Sequence, residues 1–210
     1  MATLLLPSGG KAQRFGGIMK ELLPIDIRGT TLLENAILTG RKYFDISKIV
    51  LITTEEKEPW HRKIVSQYPV EYRRQQRAEL WGAIQDGLVD DDMVLLLPDT
   101  VLSLVKKHKV VQQTPMMLGV FITDEPERFS TVVNGKIQTK QPHGIFAWGA
   151  MYWSREVSHF LDEVDAGHYD EAFNKVLEQY QSSTFQIQDY KDLGDVQHYF
   201  EYIKSLQSHT

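Results

Sequence analysis

The chain has 210 residues, 42% of them hydrophobic, with 23 Lys and Arg against 28 Asp and Glu (formal net charge −5) and no cysteine. That is the composition of an ordinary globular chain long enough to bury a full core. It excludes a disulfide framework, a thiolate nucleophile and Cys-bound zinc or iron–sulfur clusters, and the acidic balance argues against a general nucleic-acid binder. The longest uncharged stretches, 110–123 and 141–154, contain Gln, Thr and His. They fall short of the roughly 18 apolar residues that a membrane span needs. The N-terminus has no basic lead-in, and its apolar run at 4–6 is too brief for a secretory signal. The expectation is a cytoplasmic protein that binds neither nucleic acid nor membrane.

In chain order, residues 2–6 (ATLLL), 48–53 (KIVLIT) and 93–97 (MVLLL) read as strands, the third apolar enough to be buried on both faces. Helical spacing marks 31–43, where Leu32, Leu33, Ala36, Ile37 and Gly40 recur, and again about 59–67 and 79–88. Strand–helix alternation of this kind implies right-handed crossovers and a mainly parallel sheet with helices on both faces. The second half changes character. Strands are expected at 116–122, 130–133, 136–140 and 146–153, with Asn134-Gly135 as a hairpin turn. Helices follow at about 155–164 and 171–181, then a short strand at 184–188 and a closing helix from 196. The reading is one α/β unit, with a parallel nucleotide-type half over about 1–110 and a mixed half over about 111–210.

The loop after the first strand, Pro7-Ser8-Gly9-Gly10-Lys11-Ala12-Gln13-Arg14-Phe15-Gly16-Gly17, puts four glycines and two cations at the carboxyl edge of the sheet. Ligands bind at that edge in open α/β sheets. Glycines let backbone N–H groups approach phosphate oxygens and form an anion-binding nest. Arg14 can fork onto phosphate, and Lys20 adds a point charge. The loop matches neither the P-loop nor the G-x-G-x-x-G fingerprint, and a plain surface turn with solvated charges is the alternative.

The run GGKAQRFGGIMKELLPI, followed by GTTLLENAI, then LPDT at 97–100, LGVFITDEPERFSTVVNGKI, FAWGAMYWS and Lys191-Asp192-Leu193-Gly194, resembles the sugar-nucleotide pyrophosphorylases of the glucose-1-phosphate thymidylyltransferase type. The matches keep the family's order over nearly the whole chain. The resemblance implies a nucleotide-diphospho-sugar transferase fold. It also implies Mg²⁺-dependent transfer of a nucleotidyl group from a nucleoside triphosphate, dTTP or UTP favoured, to a sugar 1-phosphate, with release of pyrophosphate. It places Ser8, Gly9, Gly10 and Lys11 on the nucleotide, Arg14 on the triphosphate and Lys20 by the reacting phosphates. Asp99 and Asp192 become the metal pair, Lys140 holds the sugar phosphate and Gly149 admits the sugar ring. Gln75 resembles the base-contacting Gln, with Gln76 as its rival. An amide can pair with a pyrimidine edge because it offers both a donor and an acceptor.

Other readings stay open for several of these residues. Asp99 fits a cap for a helix at 100–105, and Asp192 fits a turn residue before Gly194. Asp90-Asp91-Asp92 precedes the third strand, at the wrong sheet edge for a metal motif, and reads as a solvated turn. The seven histidines show no zinc-binding spacing. Trp148, Tyr152 and Trp153 read mostly as core. The family's second loop glycine is Ala12 here, its acidic residue before the sugar-phosphate Lys is Thr139, and the spacer from Arg14 to Lys20 is short. Two alternatives therefore stand beside the main reading. One is a non-catalytic relative that binds nucleotide or nucleotide-sugar. The other is a cytidylyl- or guanylyltransferase for another phosphate acceptor. A homo-oligomer is compatible with the sequence, which does not fix the state.

Overall fold

Three consecutive leucines in the first strand serve two different cores. The structure, a computed structural model, describes residues 1–11, 15–105, 112–139, 141–142 and 144–207. In β1 (Ala2–Pro7), Leu4 and Leu6 pack with Leu33, Ala36 and Ile37 of α1 (Leu32–Tyr43). Leu5 points the other way, onto Trp81, Ala83 and Ile84 of α3 (Glu79–Gly87). Successive side chains of a strand face opposite sides of the sheet. A strand covered on both faces must therefore be apolar throughout, and Leu4, Leu5 and Leu6 are all fully buried. Helix α1 starts at a capping box: Thr31 Oγ1 accepts from the Glu34 N–H at 3.2 Å, and the Glu34 carboxylate accepts from the Thr31 N–H at 2.9 Å.

Strand β2 (Ile46–Thr53) pairs with β1, and β3 (Val70–Arg74) with β2, all parallel; α2 (Glu58–Ile64) lies between the latter two in sequence. Strand β4 (Met93–Leu96) flanks β1 on the other side, also parallel. The same sheet then continues into the second half of the chain as β9 (Phe146–Trp153), β6 (Met116–Ile122), β10 (Ser182–Asp192) and β5 (Thr100–Leu104). Strand β9 runs antiparallel to both β4 and β6, β10 parallel to β6, and β5 antiparallel to β10. The hairpin β7 (Ser130–Val133) and β8 (Lys136–Thr139) hangs from β9. Its turn residues Asn134 and Gly135 have φ of 51° and 74°, the primed-turn geometry that Asn-Gly favours. Helices α4 (Arg155–Glu163), α5 (Tyr169–Gln179) and α6 (Val196–Gln207) complete the chain.

The expected mainly parallel sheet with helices on both faces is present, and most elements lie within a few residues of their expected places. Residues 100–104 form a strand, with no helix at 100–105. β10 is eleven residues long rather than the short strand expected at 184–188. Asp90, Asp91 and Asp92 do lie at the amino end of β4, away from the carboxyl ends, but they are more than a solvated turn. Asp91 accepts from Thr3 Oγ1 at 3.1 Å, Asp92 accepts from the Tyr152 hydroxyl at 2.8 Å, and Asp90 pairs with Arg155 and His159. They fasten β1, β9 and α4 together. No helix among the described residues is long and apolar enough to cross a membrane.

Candidate functional site

The carboxyl ends of β1, β2, β3 and β4 open onto one edge, and most of the residues singled out in the sequence collect there. Ser8, Gly9 and Gly10 follow β1. Gln75 follows β3, and its amide lies directly on Gly9: a Cβ on that glycine would sit 1.8 Å from Gln75 Oε1. Only a residue without a side chain fits this contact. Gln75 Nε2 donates to the carbonyls of Arg77 (2.7 Å) and Glu79 (3.1 Å), so the amide is held in place over the loop. Gln76 is exposed and folds back on Arg74 O. Of the two glutamines, Gln75 is the one at the loop. The Ser8 hydroxyl is buried and has no hydrogen-bond partner among the described residues, a state that costs about 1–3 kcal/mol unless something supplies the bond. Lys11 is exposed at the loop's outer side.

Lys20 lies in a short 3-10 turn, Lys20–Leu22, and its ammonium pairs with the Asp99 carboxylate; the two side chains are 18% and 21% exposed. Asp99 is held on the loop between β4 and β5, and a strand follows it, so it caps no helix. Its carbonyl accepts from the Leu193 N–H at 2.9 Å, and its neighbour Thr100 is the register partner of Asp192 across β5 and β10. The two aspartates, remote in sequence, are thus on touching stretches of backbone. Asp192 Oδ1 accepts from the Gly194 N–H at 2.8 Å, so the residue shapes its turn. Its Oδ2 lies 3.5 Å from Arg128 Nη2. Arg128 also reaches Glu125 and Asp195, and its guanidinium sits 5.3 Å from the Phe129 ring centroid.

Gly149 occupies an irregularity in the β9–β6 ladder: Gly119 pairs with Ala150 and Val120 with Trp148, leaving Gly149 as a bulge. A Cβ there would sit 2.4 Å from the Tyr190 ring. The side-chain position of Gly149 is therefore filled by Tyr190, which stacks on Phe121 with centroids 4.1 Å apart. Burial drives the Tyr190 hydroxyl well above its ordinary pKa, and the nearby negative charges of Asp192 and Asp99 push it further the same way. A cavity of about 470 Å³ is lined by Asp192 together with Phe121, Thr123, Arg128, Tyr190 and His198 among others. Trp148, Tyr152 and Trp153 are core residues, although the Trp148 indole N–H is buried with no partner among the described residues. Arg14 and Lys140, with Ala12 and Gln13, lie outside the described residues.

Behind the glycine loop is a charged cluster that the sequence did not announce. Lys57 Nζ donates to the carbonyls of Ser8 (3.1 Å) and Gly10 (2.6 Å) and to Glu21 Oε1 (2.7 Å). His61 Nε2 reaches the same Glu21 oxygen at 3.1 Å, and its Nδ1 lies 2.8 Å from Thr53 Oγ1. The neutral tautomer with hydrogen on Nε2 satisfies both contacts. Lys57, Glu21 and His61 are all buried. Burial alone would raise the Glu21 carboxyl, but the His61 hydrogen bond and the Lys57 charge and hydrogen bond outweigh it and hold its pKa below the ordinary range. The residues nearest to a signal were Lys57 in the charge run EEKE and Glu21 beside an apolar run. Neither pattern shows burial.

The structure is similar to those of sugar-nucleotide pyrophosphorylases. A protein from Bacillus anthracis assigned as a glucose-1-phosphate thymidylyltransferase, solved in complex with a sucrose, superposes with a TM-score of 0.82 at 19% identity, over 98% of this chain and 95% of that one. A UDP-glucose pyrophosphorylase complexed with UDP-glucose gives 0.78 at 16% identity, over the full length of both chains. An apo UDP-glucose pyrophosphorylase gives 0.79 at 15%, over 100% and 99%. No protein-family model and no curated protein matches the chain in sequence. At these identities the likeness establishes the fold, which is the one the sequence resemblance implied.

Proposed function

We propose that the chain is a sugar-phosphate nucleotidyltransferase. It moves a nucleotidyl group from a nucleoside triphosphate, dTTP or UTP favoured, to a sugar 1-phosphate, giving nucleotide-sugar and pyrophosphate. The observation that carries this reading is the meeting of the glycine loop, the Lys20–Asp99 pair and Asp192 at the carboxyl edge of one sheet, in a fold shared with proteins named for that reaction.

The acceptor is its own nucleophile. A phosphate monoester has a second pKa near 6 and is largely dianionic at neutral pH, so the site needs no general base. What remains is positioning and charge neutralisation. The loop's backbone N–H groups and the unpartnered Ser8 hydroxyl receive phosphate oxygens. Gln75 lies where the base would meet the loop. Lys20 brings a positive charge to the reacting phosphates. Arg14 and Lys140, given triphosphate and sugar-phosphate contacts by the sequence resemblance, complete the reading. For magnesium the donor set fits: Asp99 and Asp192 offer hard carboxylate oxygens, and each is balanced by a cation, Lys20 or Arg128. No cluster of three or more ligating side chains occurs among the described residues, so phosphate and water oxygens would complete the shell, as Mg²⁺ commonly has it. The bound ion would supply neutralisation of phosphate charge.

Pyrophosphate release, followed with Mg²⁺ over four nucleoside triphosphates and a set of sugar 1-phosphates, tests the reading. Turnover with at least one pair is expected. Nucleotide binding without turnover by any pair would move the protein to the non-catalytic alternative, and turnover only with a non-sugar phosphate would move it to the other transferase class.

A further inference from the structure

The peptide bonds from Ser8 to Lys11 are trans. In a trans peptide the N–H of one residue points opposite to the C=O of the residue before it. Lys57 grips the carbonyls of Ser8 and Gly10 together. That grip turns the N–H groups of Gly9 and Lys11 away from Lys57, to the other side of the loop. The ammonium has three donors, and all three are engaged, the third by Glu21. It cannot swing out to touch a ligand without releasing the loop. With its side chain 9% exposed, it acts through the backbone in front of it. Glu21 is held in turn by His61, which is fixed by Thr53 at the end of β2. Glu21 also adjoins Lys20, so one buried carboxylate ties the loop's support to the turn that carries the Lys20–Asp99 pair.

We infer that Lys57 is a positioning residue for a polyphosphate ligand: from behind the loop it presets two outward backbone N–H groups, Gly9 and Lys11, as an anion cradle. Glu21 and His61 keep the ammonium there. This deepens the nucleotidyltransferase reading and rests on it. It assigns the preorganisation of the triphosphate subsite to a side chain that the ligand never touches.

The test compares wild type with Lys57→Met, which keeps the length of the side chain and removes the charge and the donors. Binding of nucleoside triphosphates and of inorganic tripolyphosphate, with Mg²⁺, is measured by calorimetry on proteins whose thermal unfolding shows them folded. Lys57→Met is expected to weaken both ligands about tenfold or more, the scale of a lost charge-assisted network. It should raise KM for the nucleotide and leave KM for the sugar 1-phosphate near wild type; a merely structural role would move both. Because Lys57→Met disturbs a buried cluster, amide NMR on wild type gives a second arm that is independent of any variant: tripolyphosphate should shift the Gly9 and Lys11 resonances. Wild type that binds nucleotide with those amides unmoved, or a folded Lys57→Met that binds as wild type does, overturns the inference and leaves the reaction standing. Wild type that binds neither ligand overturns the nucleotidyltransferase reading, and the inference falls with it.

Discussion

The two halves of the site are built differently. Under the glycine loop the support is buried and neutralised: Lys57, Glu21 and His61 have their hydrogen bonds made, beside strands apolar on both faces. Around Asp192 the support is more open: the residue is held by its own turn and by Arg128, 24% exposed, beside a cavity. A buried network is either complete or costly, since low dielectric strengthens a made bond and penalises an unmade one. Half-exposed ion pairs are worth less and rearrange more easily. Under the proposed function, the contrast would suit a rigid triphosphate subsite and a more adaptable acceptor subsite.

Glu21→Ala breaks this comparison most severely. Removing one partner of a buried pair typically costs about 3–5 kcal/mol because the other charge is left unpaired. Urea unfolding should show a loss of that size, and the same measurement on Arg128→Ala should show about 1 kcal/mol or less. Asp99→Asn should lower turnover about 100-fold, the scale of losing one preorganised electrostatic group, with the circular dichroism spectrum unchanged. An unaltered rate would remove Asp99 from the site. Arg128→Met should raise KM for the acceptor by a few-fold to about tenfold, as a partly exposed cation at Asp192 is lost, and leave nucleotide affinity alone; equal effects on both substrates would erase the division.

The pH dependence sharpens the nucleotide side. Glu21 has its pKa lowered in the fold, so the unfolded chain takes up the proton first. The carboxylate's contribution is therefore complete well above the ordinary Glu value of about 4.3 and is lost as pH falls through the lower folded value. The stability gap between wild type and Glu21→Gln should be full at neutral pH and shrink under acid. A gap independent of pH would deny the coupling to Lys57 and His61. The smallest effect concerns Glu79, which holds φ of 63° at the start of α3. A left-handed conformation costs a side chain about 1–2 kcal/mol, so Glu79→Gly should gain up to about 1 kcal/mol once glycine's entropy is set against it. Thermal unfolding reads this directly.

Much of the fold was legible because its signals are local. Three apolar runs bounded by turns marked β1, β2 and β4, though not the half-buried β3, and Asn134-Gly135 marked its hairpin. Residues 100–104 misled because VLSLV after Asp and Thr looks like a capped helix. Its burial alternates with period two, Leu102 and Leu104 inward and Ser103 between, and pairing with β10 decides the matter. β10 itself was seen only in part because most of its eleven residues are exposed or half-exposed, leaving little hydrophobic pattern to read. At the candidate site, Gln75 and the aspartates carry a motif signal in the sequence. Lys57 does not, because an ammonium among Glu55, Glu56 and Glu58 looks solvated, and its partners Ser8, Gly10 and Glu21 are distant in sequence. Arg128 hides in the same way, its partners Asp192 and Asp195 being distant in sequence.

The register of β5 against β10, Thr100 opposite Asp192, has a bearing on synthesis. A ribosome delivers the loop, its ammonium prop and the first aspartate within the opening half of the chain, whereas the second arrives with the final sheet strand. Under the proposed function, every residue of the phosphate cradle is therefore synthesised well before the acidic pair is complete.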